Sequence, residues 1–511
     1  MNAVETVPVI VDTESGKLEG VRKNALSVFK GIPFATAKRW AAPERMAPWT
    51  GVRPARMAGA IAPQNPTMMA ALMGGAKSDA EHSEDCLHLN IWTPACDNAK
   101  RPVMVWIHGG AFINGAGSVP LYGGAPLAQA GDAIIVTINY RMGGFGFLRL
   151  ADITNGQVGA GGSEGLLDQI AAIEWVRDNI AAFGGDAGNV TIFGESAGGM
   201  SVGSLLASRK ARGLFHKAIS QSGGAHAVHT SDHANRIADV FLHHLGVKAN
   251  DAAALHAVPI EALLAAQTAL LSEIDAKHDP HKLGGLAFRP SIDGVALEVT
   301  PIDAVRDGAS SGVALLAGTT TEEWKLYTAM DSAAHAMDEG KLQRWAERTF
   351  GDAAPSLLAA DRDGSPYERF ISMQTDRVFR EPTRRMLAAQ AKHAPVYQYV
   401  FDWRSPAMGG AFGACHALEL GFVFGSYSHK GADQFFGTGP QADATSQAMI
   451  EAWTSFARDG KPRAANLEAW PTWSRAAPAA MVFGADTRAG HVSRFEMAPA
   501  WGALPDRLVG P

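Results

Sequence analysis

"TIFGESAGGMS", residues 191–201, sets Ser196 just behind the apolar run Val190-Thr191-Ile192-Phe193, with Glu195 as its neighbour and small residues on its far side. Gly194-Glu195-Ser196-Ala197-Gly198 fits G-x-S-x-G, the signature of a sharp strand-to-helix turn that exposes a serine hydroxyl. Such a turn forces the serine into a strained backbone conformation. Side chains two residues before or after it would collide with the adjoining strand and helix, which explains both glycines. The turn also brings Ser196 Oγ to a helix start, where the N–H of Ala197 is free to donate to an oxyanion. Gly and Ser are common enough for the pentapeptide to arise by chance, so its weight comes from the strand before it and the helix after it.

Outward from this turn, short runs rich in Val and Ile alternate with helical patterns: "VMVWI" at 103–107, "AIIVTI" at 133–138, "NVTIF" at 189–193, "VALLA" at 313–317 and "VYQYVF" at 396–401. Buried parallel strands read this way. In "DQIAAIEWVRDNI", Ile170, Ile173, Val176 and Ile180 recur near helical spacing, with Asp168, Arg177 and Asp178 among the polar positions. Repeated βαβ units predict an α/β fold around a large, mostly parallel sheet, with ligands bound beyond the carboxyl ends of the strands.

At 511 residues, 47% hydrophobic and 19% charged, the chain is long enough to bury a sizeable core. No linker, low-complexity tract or repeat divides it, so residues 1–511 are read as one domain with long insertions. The net charge of −6 comes without a run of Lys and Arg, which predicts neither nucleic acid nor membrane surface as partner and leaves room for a neutral small molecule. The start, "MNAVETVPVIVDTESGK", has no cationic segment leading into an apolar one, and no later stretch approaches the roughly 18 apolar residues of a membrane span. Cys86 and Cys96 flank the strand-like "LHLNIW", whose extended length would hold them beyond the roughly 7 Å Cα limit for a disulfide. With Cys415 the third, reduced thiols in a cytoplasmic protein are expected, and a monomer is the expected state.

A serine hydroxyl is a poor nucleophile at neutral pH, so Ser196 needs a histidine base oriented by a carboxylate, in the chain order Ser, then Asp or Glu, then His. "GACHALELGFVFG" places His416 in a Gly-containing loop after the strand at 396–401. Most other histidines, His243 and His244 among them, read as solvated or satisfied in the core. "VALLAGTTTEEW" offers Glu322 and Glu323 just past Ala317, and spacing alone does not choose between them. Upstream, "VMVWIHGGAFINGAG" supplies His108-Gly109-Gly110-Ala111-Phe112 after the strand at 103–107, a loop small enough for backbone N–H groups to approach a substrate oxygen.

Together these motifs resemble the type-B carboxylesterases, the cholinesterase-related branch of the α/β-hydrolases. The likeness begins with "GKLEGVRKNALSVFKGIPFA", continues through "SEDCLHLNIWTP", "HGGAF", "NYRMGGFGFL", the GESAGG segment and "GLFHKAISQSG", and ends in "CHALELGFVFG" and "WTSFARDGKP". The resemblance implies an α/β-hydrolase fold and a serine carboxylic-ester hydrolase acting through an acyl-enzyme on small or medium uncharged esters. It implies Ser196 as nucleophile, Glu323 as acid, His416 as base, and the N–H groups of Gly110, Ala111 and Ala197 as the oxyanion hole. Glu195 and Glu419 become supporting buried carboxylates. No cofactor and no metal is called for.

Two departures narrow the expectation. The acid segment of the family ends in glycine where this chain has Trp324, and "QNPTMMAALMGGAKSDAEHSEDCL" holds no tryptophan to bind a choline cation, so a choline-specific enzyme is not expected. Met68, Met69, Leu72 and Met73 stand there instead, as an apolar wall at the pocket mouth or as core. The family also places a pocket loop after "QSG", which makes His226 a candidate to line the acyl site. Rival readings are weaker: a non-catalytic adhesion relative would lack the serine, "GAGGSEG" at 159–165 follows no strand as a nucleotide loop should, and His226, His229 and His233 lack a completing ligand for a metal.

Overall fold

Val103, Val105 and Ile107 pack into one apolar cluster while Met104 and Trp106 pack into another, because successive strand residues face opposite sides of a sheet. Both faces are dry, so the segment is uniformly apolar and does not alternate. The protein is described here by a computed structural model, covering residues 6–66, 80–275, 281, 283–490 and 499–511. Among the described residues the sheet has 13 strands. Its main strands are β1 (Thr6–Thr13), β2 (Gly16–Lys23), β3 (Leu26–Pro33), β4 (His88–Thr93), β5 (Arg101–Ile107), β6 (Ile134–Ile138), β7 (Gly185–Glu195), β8 (Lys217–Gln221), β9 (Ala314–Thr320), β10 (Val396–Phe401), β11 (Ala480–Phe483) and β12 (Arg488–Gly490). The short strand Val52–Pro54 pairs with β2.

The spatial order is β1-β2-β3-β4-β6-β5-β7-β8-β9-β10-β11-β12. Pairing is parallel from β6 across to β11 and antiparallel on both flanks. The mostly parallel α/β sheet predicted from the alternating runs is therefore present, and every one of the five predicted strands belongs to it. Strand β8 went unread because "KAISQ" carries Lys217, Ser220 and Gln221, yet all five of its residues are buried.

Helices α1 (Glu164–Asn179), α2 (Ala197–Ala207) and α3 (Glu381–Gln390) add Ile170, Val202 and Leu387 to the first cluster. Helix α4 (Pro440–Asp459) adds Met449, Trp453 and Phe456 to the second. The polar position Asp168 on α1 is not solvated: it is fully buried and holds the Arg141 guanidinium from two sides, at 2.7 and 2.8 Å. A buried ion pair of this geometry is strongly destabilising to break.

Long segments 222–313, 321–395 and 402–479 follow the carboxyl ends of β8, β9 and β10, the edge where an α/β sheet binds ligands. The methionines at 68, 69 and 73 and Leu72 lie outside the described residues. Cys86, Cys96 and Cys415 are free thiols. No helix among the described residues is long and apolar enough to cross a membrane.

Candidate active site

Ser196 sits between β7 and α2 with φ 56° and ψ −124°, a left-handed conformation that costs a non-glycine residue on the order of 1–3 kcal/mol. Packing imposes it. A Cβ on Gly194 would lie 2.5 Å from the Gly198 carbonyl carbon, and one on Gly198 would collide with the Ile107 carbonyl oxygen of β5. Ser196 N–H donates to Gln221 O at the end of β8 (2.9 Å), and Ser222 N–H donates to Gly318 O in β9 (2.8 Å). The strand ends are thus stitched together directly beneath the serine.

His416 comes from the segment after β10, and its N–H donates to Glu323 O (3.2 Å). Its Nδ1 lies 2.6 Å from Glu323 Oε2, while Glu323 Oε1 accepts from Ser222 Oγ (2.6 Å) and Thr320 N (2.7 Å). Every oxygen of this fully buried carboxylate is thereby engaged, which fixes its orientation. Glu322 is turned away: it pairs with Lys325 (2.7 Å) and Arg404 (3.2 Å) and accepts from Ala414 N (3.0 Å). Trp324 has φ −70° and ψ −14°, an ordinary helical conformation with no need of glycine, and its ring packs 4.8 Å from Tyr327.

The other imidazole nitrogen, Nε2, lies 3.1 Å from Glu195 Oε1, off the direction of a hydrogen bond, and has no aligned partner among the described residues. The structure therefore joins His416 to Glu323 and brings Glu195 against its far side, without a hydrogen bond from Ser196 Oγ. Burial opposes charging His416, but the carboxylates of Glu195 and Glu323 outweigh it and push the imidazole up to about 9. Burial pushes Glu195 above the usual carboxylate range; facing His416 opposes the shift, and Glu419 and Glu323 add to it. Glu419 is pushed up by burial and by Glu323 as well.

The loop after β5 backs directly onto the turn: a Cβ on Gly109 would lie 2.7 Å from Glu195 O and 3.1 Å from Ser196 Cβ. Gly110 (φ 111°), Ala111 (φ 54°) and Phe112 (φ 60°) follow in succession with positive φ. No protein acceptor meets the N–H of Gly110 or Ala111 among the described residues, and Ala197, first in α2, has no intrahelical acceptor for its own.

Three side chains at the site are not singled out by the sequence, although Tyr140 lies in "NYRMGGFGFL" and Ser222 in "GLFHKAISQSG". Ser222 fastens Glu323. Phe379, on the π-helix Asp376–Arg380, packs its ring 4.5 Å from His416. Tyr140 stacks on the fully buried His108 ring (4.4 Å) and donates to His108 O (2.8 Å). A serine after "SQ" and an aromatic in a helical segment are too ordinary in sequence to single out.

His226 is turned toward Asp506, 3.2 Å away, among Arg385 and Arg306. His229 accepts from Arg289 Nε (3.1 Å) and stacks on His233. Among the described residues no group of three or more His, Cys, Asp or Glu side chains is placed to hold a metal. In "GAGGSEG" the N–H groups of Gly161 and Gly162 donate to the Glu164 carboxyl group (2.7 and 3.1 Å), so the segment's own side chain takes these donors.

Comparison with known proteins identifies the family. Residues 7–496 match the model of the Carboxylesterase family. The para-nitrobenzyl esterase of Bacillus subtilis (strain 168) is 38% identical over 470 residues, covering 91% of this chain and 92% of that protein. The phenmedipham hydrolase of Pseudarthrobacter oxydans is 35% identical over 93% of this chain and 95% of its own. A crystal structure of a Geobacillus stearothermophilus carboxylesterase superposes with a TM-score of 0.85 at 39% identity, over 96% of this chain and 99% of that one. The chain belongs to the carboxylesterase family and is a carboxylic-ester hydrolase.

Proposed function

We propose that residues 1–511 form one catalytic domain that cleaves small or medium uncharged esters through an acyl-enzyme, with Ser196 as nucleophile, His416 as base and Glu323 as the orienting acid. The observation that carries this reading is the 2.6 Å contact between His416 Nδ1 and Glu323 Oε2, beside a serine held at φ 56° on the turn after β7. His416 Nε2 takes the Ser196 proton as Oγ attacks the carbonyl carbon, and Glu323 holds the tautomer and stabilises the imidazolium. Catalytic hydrogen bonds often tighten only with substrate bound, so the Ser196 hydroxyl turns to Nε2 in the complex. The N–H groups of Gly110, Ala111 and Ala197 receive the oxyanion, each worth about 2.7–4 kcal/mol in the transition state. The alcohol leaves with a proton from His416, and water activated by the same imidazole releases the acid. Glu195 and Glu419 stay buried supports.

A p-nitrophenyl ester chain-length series beside Ser196→Ala tests this reading. Loss of turnover and of organophosphate labelling in the variant supports it, and equal rates overturn it. p-Nitrobenzyl esters and phenmedipham belong in the panel, because two relatives carry those names. The three free thiols support a cytoplasmic enzyme, checked by cell fractionation, and a monomer is the proposed state, checked by sedimentation.

A further inference from the structure

The loop carrying Gly110 and Ala111 holds two successive non-glycine residues, Ala111 and Phe112, at positive φ, so something must over-determine its path. Its inner side is fastened to the core. Tyr140 Oη donates to His108 O (2.8 Å), Gly143 N–H donates to Phe112 O (2.7 Å), and the fully buried Phe112 ring packs 5.0 Å from Phe147. Ile113 and Asn114 N–H both close back onto Gly110 O at 3.0 Å.

The outer end is held differently. Gly115, at φ 114°, donates its N–H to Gln64 Oε1 (2.8 Å) and accepts from Gln64 Nε2 at its carbonyl (3.0 Å). One side-chain amide thus imitates a strand partner, satisfying both backbone groups of a residue 51 positions away. A larger residue at 115 would press on His108 Nδ1, so the amide meets bare backbone there. Gln64 is itself anchored, since Nε2 also donates to Ala62 O (3.0 Å), while Asn65 beside it reaches Leu264 O (3.2 Å) and Thr268 Oγ1 (2.9 Å) on the helix Ile260–Asp275. Gln267 of that helix accepts from Gly144 N–H (3.3 Å), one residue beyond the Gly143 that holds Phe112. Inner and outer fastenings of the loop therefore share one support.

We propose that Gln64 is a positioning residue for acyl transfer: its two-point bond to Gly115 holds the Gly109–Gly115 loop so that the N–H groups of Gly110 and Ala111 meet the oxyanion above Ser196. This assignment rests on the oxyanion role given to those two groups above. Gln64 touches no reacting atom and acts only through loop geometry.

The test compares Gln64→Met, which keeps side-chain length and loses the hydrogen bonds, with Gln64→Ala and Ser196→Ala on the full chain. With p-nitrophenyl acetate, both Gln64 variants are expected to lose about 10- to 100-fold in kcat with KM within about threefold, less than the roughly 10²–10³-fold for deleting an oxyanion donor outright. Affinity for a trifluoromethyl ketone, which forms an oxyanion on the enzyme, is expected to fall by a matching factor. The acid limb of the pH profile, which reports His416, stays where the parent has it. A general loss of packing moves the melting temperature without this matched pair of losses. Should Gln64→Ala fail to fold, Gln64→Met carries the test. Gln64→Met with parental kcat and ketone affinity overturns the proposal. Ser196→Ala separates the two claims: parental rates there sink the nucleophile itself, whereas a dead Ser196→Ala beside a parental Gln64→Met sinks only the role of Gln64.

Discussion

At the scale of single residues, the choice between Glu322 and Glu323 decides the acid of the site. The two are adjacent and chemically identical, yet Glu323 meets His416 Nδ1 while Glu322 is drawn off by Lys325, Arg404 and Ala414 N–H. Glu323→Gln is expected to lower kcat by on the order of 10⁴, because an amide favours the wrong imidazole tautomer. Glu322→Gln, read in the same p-nitrophenyl acetate assay, is expected to stay within about tenfold of the parent; the reverse order would exchange their roles. His416 supplies a second expectation, on pH. The base works neutral, and buried carboxylates around it favour the imidazolium and push it up to about 9, so activity is lost as pH falls through a value above the ordinary 6.5. kcat/KM measured from pH 5 to 10 should show its acid limb above pH 6.5, and a limb at or below that value would remove the influence assigned to the carboxylates.

Elements carry the next set of constraints. The turn between β7 and α2 works because no Cβ stands at Gly194 or Gly198, and the obstacle to one at 198 is the Ile107 carbonyl of β5, which has no flexible end to swing away. Gly198→Ala is therefore expected to be recovered poorly, or folded with kcat reduced by at least about 100-fold, since a shift of about 1 Å at the nucleophile suffices for that. A soluble, fully active variant would contradict the steric account. On α1, Asp168→Asn leaves the Arg141 guanidinium buried without its counter-charge, an effect of about 3–5 kcal/mol when a buried pair loses one partner. Chemical denaturation should register that loss, and a change below about 1 kcal/mol would mean that the pair is solvated. Helix α1 itself was legible from Ile170, Ile173 and Val176; the burial of Asp168 was not, because its partner arrives from the loop after β6.

Over the whole molecule, the sheet gathers its functional side chains at one edge. Ser196 follows β7, Ser222 follows β8, Glu323 follows β9 and His416 lies in the segment after β10, so four parallel neighbours deliver four parts of one site. No disulfide braces this arrangement, and the melting temperature is expected to be the same with and without a thiol reductant; a drop on reduction would reveal a bridge that Cys86, Cys96 and Cys415 do not make here. The sequence by itself determined the alternation of buried strands and helices and the turn at Ser196. Those depend on side-chain period and on sterics within a few residues, and both are written locally. It also pointed to His416, through its place after β10, as the base proposed here. Spacing left Glu322 and Glu323 open and only the resemblance favoured Glu323; that the imidazole meets it, that Ser222 fastens it from 101 residues away, and that Gln64 reaches Gly115 are seen only in the tertiary structure. The physical reason is common to all three: each depends on where a side chain points once distant segments are packed, and Ser, Gln or Glu at those positions is compatible in one dimension with an exposed loop.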